Sequence, residues 1–225
     1  MPNRQSGFTL VEIAIVLVII GLLLGGVLKG QELINSAKVK NLAQDFRTIP
    51  LFIYGYQDKY RALPGDDTNA TSHVTGATKA TTPSGVQGNG VIDGNWDSTT
   101  TTDESVLFWQ HVRLANLASG PTSTADAAFL PRNTDGGRIG IESGSAALIK
   151  NTDGTNLAGT YVVCSGGILG KFAKQLDITM DDGKTNEGSM RVISGSHTRG
   201  SVALNAAATP SQVDDATSYT VCLAF

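Results

Sequence analysis

The stretch that most constrains this chain is residues 8–28, FTLVEIAIVLVIIGLLLGGVL, apolar almost without a break and placed directly behind MPNRQSG. About 20 apolar residues at ~1.5 Å rise each are enough to cross the ~30 Å hydrocarbon core of a bilayer as a helix. Backbone polar groups in such a medium must be satisfied internally, so a helix is the form this run must take. Glu12 is its only charge. A carboxylate inside a membrane helix costs roughly 2.5–3.5 kcal/mol on insertion scales, which a plain anchor would gain nothing by carrying. Two readings stand at this point: a functional group with a partner, or a side chain near the helix end that snorkels to the interface.

The flanking residues decide between them. Gly7-Phe8-Thr9-Leu10-Val11-Glu12 resembles the processing site of type IV prepilins and type II secretion pseudopilins. The resemblance implies a leader Met1–Gly7, cleavage after Gly7 by a prepilin peptidase, N-methylation of the new terminus Phe8, and Glu12 as the fifth mature residue. It also implies a partner: in a filament whose helices pack into a dry bundle, Glu12 meets the Phe8 ammonium of a neighbouring subunit. Pairing offsets much of the cost of burying two charges and acts as a register device more than as a source of stability. The close match covers about the first 30 residues. An ordinary secretory signal peptide is the rival, but its apolar core is shorter and its cleavage site follows that core; Gly25-Gly26-Val27-Leu28-Lys29 is a poor site of that kind. Arg4 in the leader is a minimal positive-inside signal.

From Gly30 the apolar residues become periodic. Leu33, Ala37, Leu42, Phe46, Ile49, Ile53 and Tyr56 recur at threes, fours and fives, with Lys38, Lys40, Asp45 and Arg47 between them. This predicts an amphipathic continuation of the first helix, ending near Arg61-Ala62-Leu63-Pro64-Gly65. Helix from Phe8 to Tyr60 would be roughly 80 Å long, and Pro50 is expected to kink or split it. Gly21, Gly25, Gly26 and Gly30 suit close helix packing in lipid or local melting on extraction. The predicted organisation is a leader over 1–7, a transmembrane and filament-core helix over 8–29, its amphipathic continuation over 30–62, and a globular periplasmic or extracellular domain over 63–225.

The rest of the chain is rich in Gly, Thr, Ser and Asn, which points to a loop-heavy domain with a modest core. A net charge of −3 argues against a nucleic-acid or anionic-membrane binder. Cys164 and Cys222 lie in the β-like runs YVVCSGG and YTVCLAF. The implied topology places them outside the cytoplasm, where disulfides persist; a C-terminal disulfide is also what the resemblance to type IV pilins implies. Two buried free thiols are the alternative.

Residues 68–102 read as a long surface loop. Within it, Gln87-Gly88-Asn89-Gly90-Val91-Ile92-Asp93 alternates oxygen donors with glycine, which raises calcium as the one conceivable cofactor, with Asp66, Asp67, Asn89 and Asp93 as candidate ligands. The alternative is a set of turns that need Gly and Asn for positive φ. Thr101 and Glu104 fit a capping box ahead of a helix over 106–117 containing Trp109 and His111, the latter read as a surface or capping residue. Short strands are expected near 138–141, 146–149, 161–164, 190–193 and 219–223, and a helix over 168–178 with Phe172 and Leu176 on one face. Together these predict an α+β, pilin-like fold: a long N-terminal helix on a small, mainly antiparallel sheet.

No nucleotide-binding loop, zinc-protease helix or nucleophile elbow occurs, and His73, His111 and His197 are scattered. The expectation is therefore a non-enzymatic subunit of a type IV pilus or pilus-like filament, with a type II secretion pseudopilin as one alternative and a minor pilin acting as adhesin or DNA-uptake subunit as another. The Thr/Gly/Asn-rich loop motivates the last. The partners this implies are other pilin or pseudopilin subunits, in homo- or hetero-oligomeric filaments, the prepilin peptidase, the assembly platform and the bacterial inner membrane, which holds the subunit by a single pass before filament assembly.

Overall fold

The computed structural model describes residues 10–144, 149–151, 153–208 and 211–225. The chain divides into two compact units, one ending at Lys38 and one running from Val39 to Phe225. Helix α1, Leu10–Tyr60, supplies the described residues of the first unit and the opening of the second. Gly7 and Phe8 lie outside the described residues.

In the second unit α1 buries Val39, Leu42, Ala43, Phe46, Ile49, Ile53 and Tyr56, a stripe at threes and fours that meets the core. The stripe starts later than the periodicity predicts, because Leu33 and Ala37 belong to the first unit and are exposed. The expected split at Pro50 is also corrected: α1 runs through it. A proline inside a helix costs about 3 kcal/mol, and burial of Phe46, Ile49 and Ile53 on either side outweighs that. The helix stops at Arg61, whose φ of 54° is left-handed and whose N–H still bonds Gln57 O at 2.9 Å, a one-residue C-terminal cap.

Three further helices follow: α2, Ala70–His73; α3, Glu104–Leu114; and α4, Gly170–Met180. The strands are β1 Ile139–Ser143, β2 Ile149–Lys150, β3 Tyr161–Leu169, β4 Met190–Ser194, β5 Ser201–Val202 and β6 Ser218–Ala224. Strands β1, β3, β6 and β4, in that spatial order, form a four-stranded sheet whose neighbours are all antiparallel. Strands β2 and β5 form a separate parallel pair. This is the predicted α+β, pilin-like architecture. Strand β3 runs longer than expected and bends where its register shifts between Ser165 and Ile168; Gly167, at φ 71°, supplies the left-handed residue such a bulge needs.

The central strands are buried on both faces. One face joins the main core with Phe46, Ile53, Phe108, Val112, Ile141, Val163 and Val221. The other forms a second cluster containing Trp96, Ile149, Leu157, Val162, Cys164, Ile193 and Cys222. Cys164 and Cys222 are directly paired across β3 and β6 and joined by a disulfide. Helix α4 buries Phe172, Ala173 and Leu176 as its apolar spacing predicts, displaced two residues from the expected start.

Residues 68–102 are not the surface loop expected. They contain α2, and Ala70, Val74, Ala77, Ala80, Ile92 and Trp96 are buried. The segment is also stitched to β1: Ile92 N–H donates to Ser143 Oγ at 2.7 Å, and Ser143 N–H to Ile92 O at 3.0 Å. Scattered apolar residues among Thr, Gly and Asn carry no periodic signal, so only the tertiary contacts reveal that the segment belongs to the core.

Candidate functional site

The described residues of the first unit all belong to α1. Every large aliphatic side chain from Leu10 to Leu28 is exposed, from 46 % at Ile20 to 91 % at Leu10. Such a surface is unstable in water and at home in lipid or against other apolar helices. This helix is long and apolar enough to cross a membrane. Gly21, Gly25, Gly26 and Gly30 leave open space where a Cβ would sit, so the requirement for small residues there does not come from this chain's own packing. Glu12 lies in the first turn of α1, where a negative charge is favoured by the helix dipole.

In the second unit, the turn after α1, the segment before α3 and the start of α3 come together. Gly65, at φ 93°, leaves only 2.4 Å between a hypothetical Cβ and Glu104 O, so glycine is what permits this approach. The Asp66 carboxylate accepts N–H groups from Gly88 and from Gly90, the latter at 2.7 Å. Asp67 is buried and faces elsewhere: it accepts the Tyr56 hydroxyl at 2.8 Å and Asn69 N–H at 2.9 Å, with His73 Nδ1 at 2.7 Å. Asn89 donates its amide to Asp93 Oδ2 at 2.8 Å. The four candidate calcium ligands take separate partners within the fold: Asp66 the N–H groups of Gly88 and Gly90, Asp67 the Tyr56 hydroxyl, Asn69 N–H and His73 Nδ1, and Asn89 and Asp93 each other. Among the described residues no group of three or more His, Cys, Asp or Glu side chains could hold a metal ion.

The capping box is corrected. Helix α3 begins at Glu104, with Asp103 as N-cap and no side-chain cap bond. Glu104 is fully buried and its Oε2 accepts Asp93 N–H at 2.8 Å. Burial and the neighbouring Asp66 and Asp93 push its carboxyl up to about 7. His111 is likewise a core residue, not a surface one. Its Nδ1 accepts Gly65 N–H at 3.0 Å, which makes Nε2 the donor to Thr78 O at 2.8 Å. Both ring nitrogens are thus used in the neutral form, and burial holds its pKa below the ordinary value.

On the far side of the same segment, Glu142 of β1 is buried and takes Arg199 in two bonds, at 3.0 and 2.7 Å, together with Trp96 N–H at 2.8 Å. His197 stacks on Trp96. Neither Glu142 nor Arg199 shows a local motif; they are 57 residues apart, and only the fold pairs them. An open cleft of about 600 Å³ lies beside the Asp66 turn, lined by Gln57, Arg61, Asp67, Asn69, His73 and Gly90 among others. His73 and His111 both stack on the Tyr56–Tyr60 pair, His73 bonded to Asp67 and His111 to Gly65 and Thr78, while His197 lies apart, accepting the Trp96 indole N–H at 3.3 Å.

No curated protein and no solved structure matches the chain. A family model does match its N-terminus: residues 2–28 carry the prokaryotic N-terminal methylation motif, the class III signal typical of type IV pilins and pseudopilins.

Proposed function

We propose that this chain is a structural subunit of a type IV pilus or pilus-like filament rather than an enzyme. One observation carries the reading: a methylation motif covers the start of α1, whose large aliphatic side chains from Leu10 to Leu28 are all exposed, ahead of a disulfide-bearing α+β domain. Residues 1–7 are the leader, removed after Gly7 by prepilin peptidase, and Phe8 is the methylated terminus. Residues 8–29 hold the subunit in the inner membrane and then pack in the filament core, and residues 30–62 continue the helix. The domain from residue 63 onward stands outside the cytoplasm, which suits the Cys164–Cys222 bond. Glu12 pairs with the Phe8 ammonium of a neighbouring subunit and sets the stagger. Homo- or hetero-oligomeric assembly with other pilin subunits follows from helices that need apolar partners.

The test is the mass of the N-terminal peptide of protein purified from membranes, with and without the cell's prepilin peptidase. A peptide starting at methylated Phe8, lost in the peptidase mutant, is the expected result. A start at Met1 in both strains, or beyond Leu28, would overturn the reading. Sheared surface filaments rich in the protein would then place it in a pilus, whereas lost secretion with pili intact would place it in a type II secretion pseudopilus.

A further inference from the structure

The open cleft beside the Asp66 turn, about 600 Å³ in volume, is walled by two kinds of polar side chain. Asp66 and Asp67 are engaged by the chain's own donors: Gly88 and Gly90 N–H on the first, the Tyr56 hydroxyl, Asn69 N–H and His73 on the second. Arg61, Thr68, Asn69 and His73 line the same cleft and keep polar groups for something else. Arg61 meets no carboxylate closer than Asp58, at 4.0 Å, and its side chain is 83 % exposed. Asn69 precedes α2 yet makes no side-chain cap bond, and both Thr68 and Asn69 are exposed. His73 is held in place. Its Nδ1 lies 2.7 Å from the buried Asp67 carboxylate, and its ring stacks on Tyr60 with centroids 5.6 Å apart. The fold uses both ring nitrogens of His111 and Nε2 of His197. Nε2 of His73 has no partner among the described residues.

The chemistry of these four side chains selects a ligand class. An apolar ligand would bury them unpaired. A phosphate would meet one fixed positive charge, Arg61, beside two carboxylates. The four carry no negative charge to draw a cation. A hydroxyl both donates and accepts, so it serves an imidazole nitrogen in either protonation state. Adjacent hydroxyls on one ring also suit the guanidinium fork and the carboxamide, each of which bonds two atoms at once. We propose that this cleft binds a neutral saccharide through Arg61, Asn69 and His73. Its volume falls within the roughly 300–1,000 Å³ of small-molecule sites. The backbone of Arg61 points the same way. Its φ of 54° is left-handed, a conformation glycine holds at no steric cost. Glycine would end α1 with less strain; what arginine adds there is a guanidinium at the cleft. All the residues involved lie in the second unit, so the site stands apart from the membrane-spanning part of α1.

The test is saturation-transfer difference NMR on the full chain in dodecylphosphocholine micelles, a detergent without a sugar headgroup. Maltose, lactose, cellobiose and diacetylchitobiose, titrated through the millimolar range, are the probes, and inorganic phosphate is the competitor. At least one disaccharide is expected to receive saturation and to keep it in excess phosphate. Its affinity should fall at least about fivefold in Asn69→Ala and in Arg61→Gly, the loss of one or two hydrogen bonds. Asn69→Ala removes an exposed side chain that makes no cap bond, and Arg61→Gly suits the left-handed turn, so urea midpoints no lower than that of wild type separate lost binding from lost folding. Absence of transfer to all four disaccharides overturns the proposal. So does undiminished transfer in either variant, and displacement by phosphate would mark an anion site instead and overturn it too.

Discussion

Removing the Cys164–Cys222 bond is the perturbation whose size the structure sets most directly. The two cysteines are 58 residues apart in sequence, and the loop-closure model puts the entropy lost from the unfolded chain at about 4 kcal/mol for a loop of that length. The bond joins residues already paired in register on β3 and β6, and both sulfurs sit in the second core cluster. Cys164→Ala/Cys222→Ala therefore loses packing as well, so about 4 kcal/mol is a lower figure if the model holds. The assay is urea unfolding of the full chain in detergent, followed by tryptophan fluorescence and far-ultraviolet circular dichroism. With a urea slope of about 2 kcal/mol per molar, the midpoint should fall by about 2 M. Because β6 lies between β3 and β4, it cannot leave without opening the sheet, and the two probes should still coincide. A midpoint shift under about 0.5 M would refute the unfolded-state argument. Separated transitions would refute the view that the disulfide secures the sheet as a whole.

Glu12→Val should leave membrane insertion intact, since it removes the only charge from the apolar run, yet abolish or sharply reduce filaments counted by electron microscopy; normal filament number would sink the proposed pairing with Phe8. His111→Ala should strand Gly65 N–H and Thr78 O in the interior and cost about 2–6 kcal/mol, at 1–3 kcal/mol for each unsatisfied group, read from the same urea assay. In wild type the neutral His111 contributes stability that is lost as pH falls below its free value of 6.5, so the His111→Ala variant should lose less stability than wild type between pH 7 and pH 5.

How much of this was readable in the chain depends on how far apart the cooperating residues lie. The continuous apolar run from Phe8 to Leu28 with its one charge at Glu12, and the stripe Leu42, Phe46, Ile49, Ile53, Tyr56 at the helical period, are local patterns; the first specifies an apolar helix and the second a helix with a buried face, without help from the rest of the molecule. The strands around Cys164 and Cys222 were legible for the same reason, as short β-branched and aromatic runs. Tertiary structure decided the rest. Whether Pro50 breaks α1 depends on packing around Phe46 and Ile53, which a local rule does not contain. That Asp66 accepts Gly90 N–H, that Glu104 abandons its cap for Asp93, and that His111 is buried between Gly65 and Thr78 all follow from the meeting of segments 11 to 46 residues apart. A buried polar group takes whichever partner the fold brings to it, because leaving it unsatisfied costs more than any local preference; the sequence shows the group, and only the fold supplies the partner.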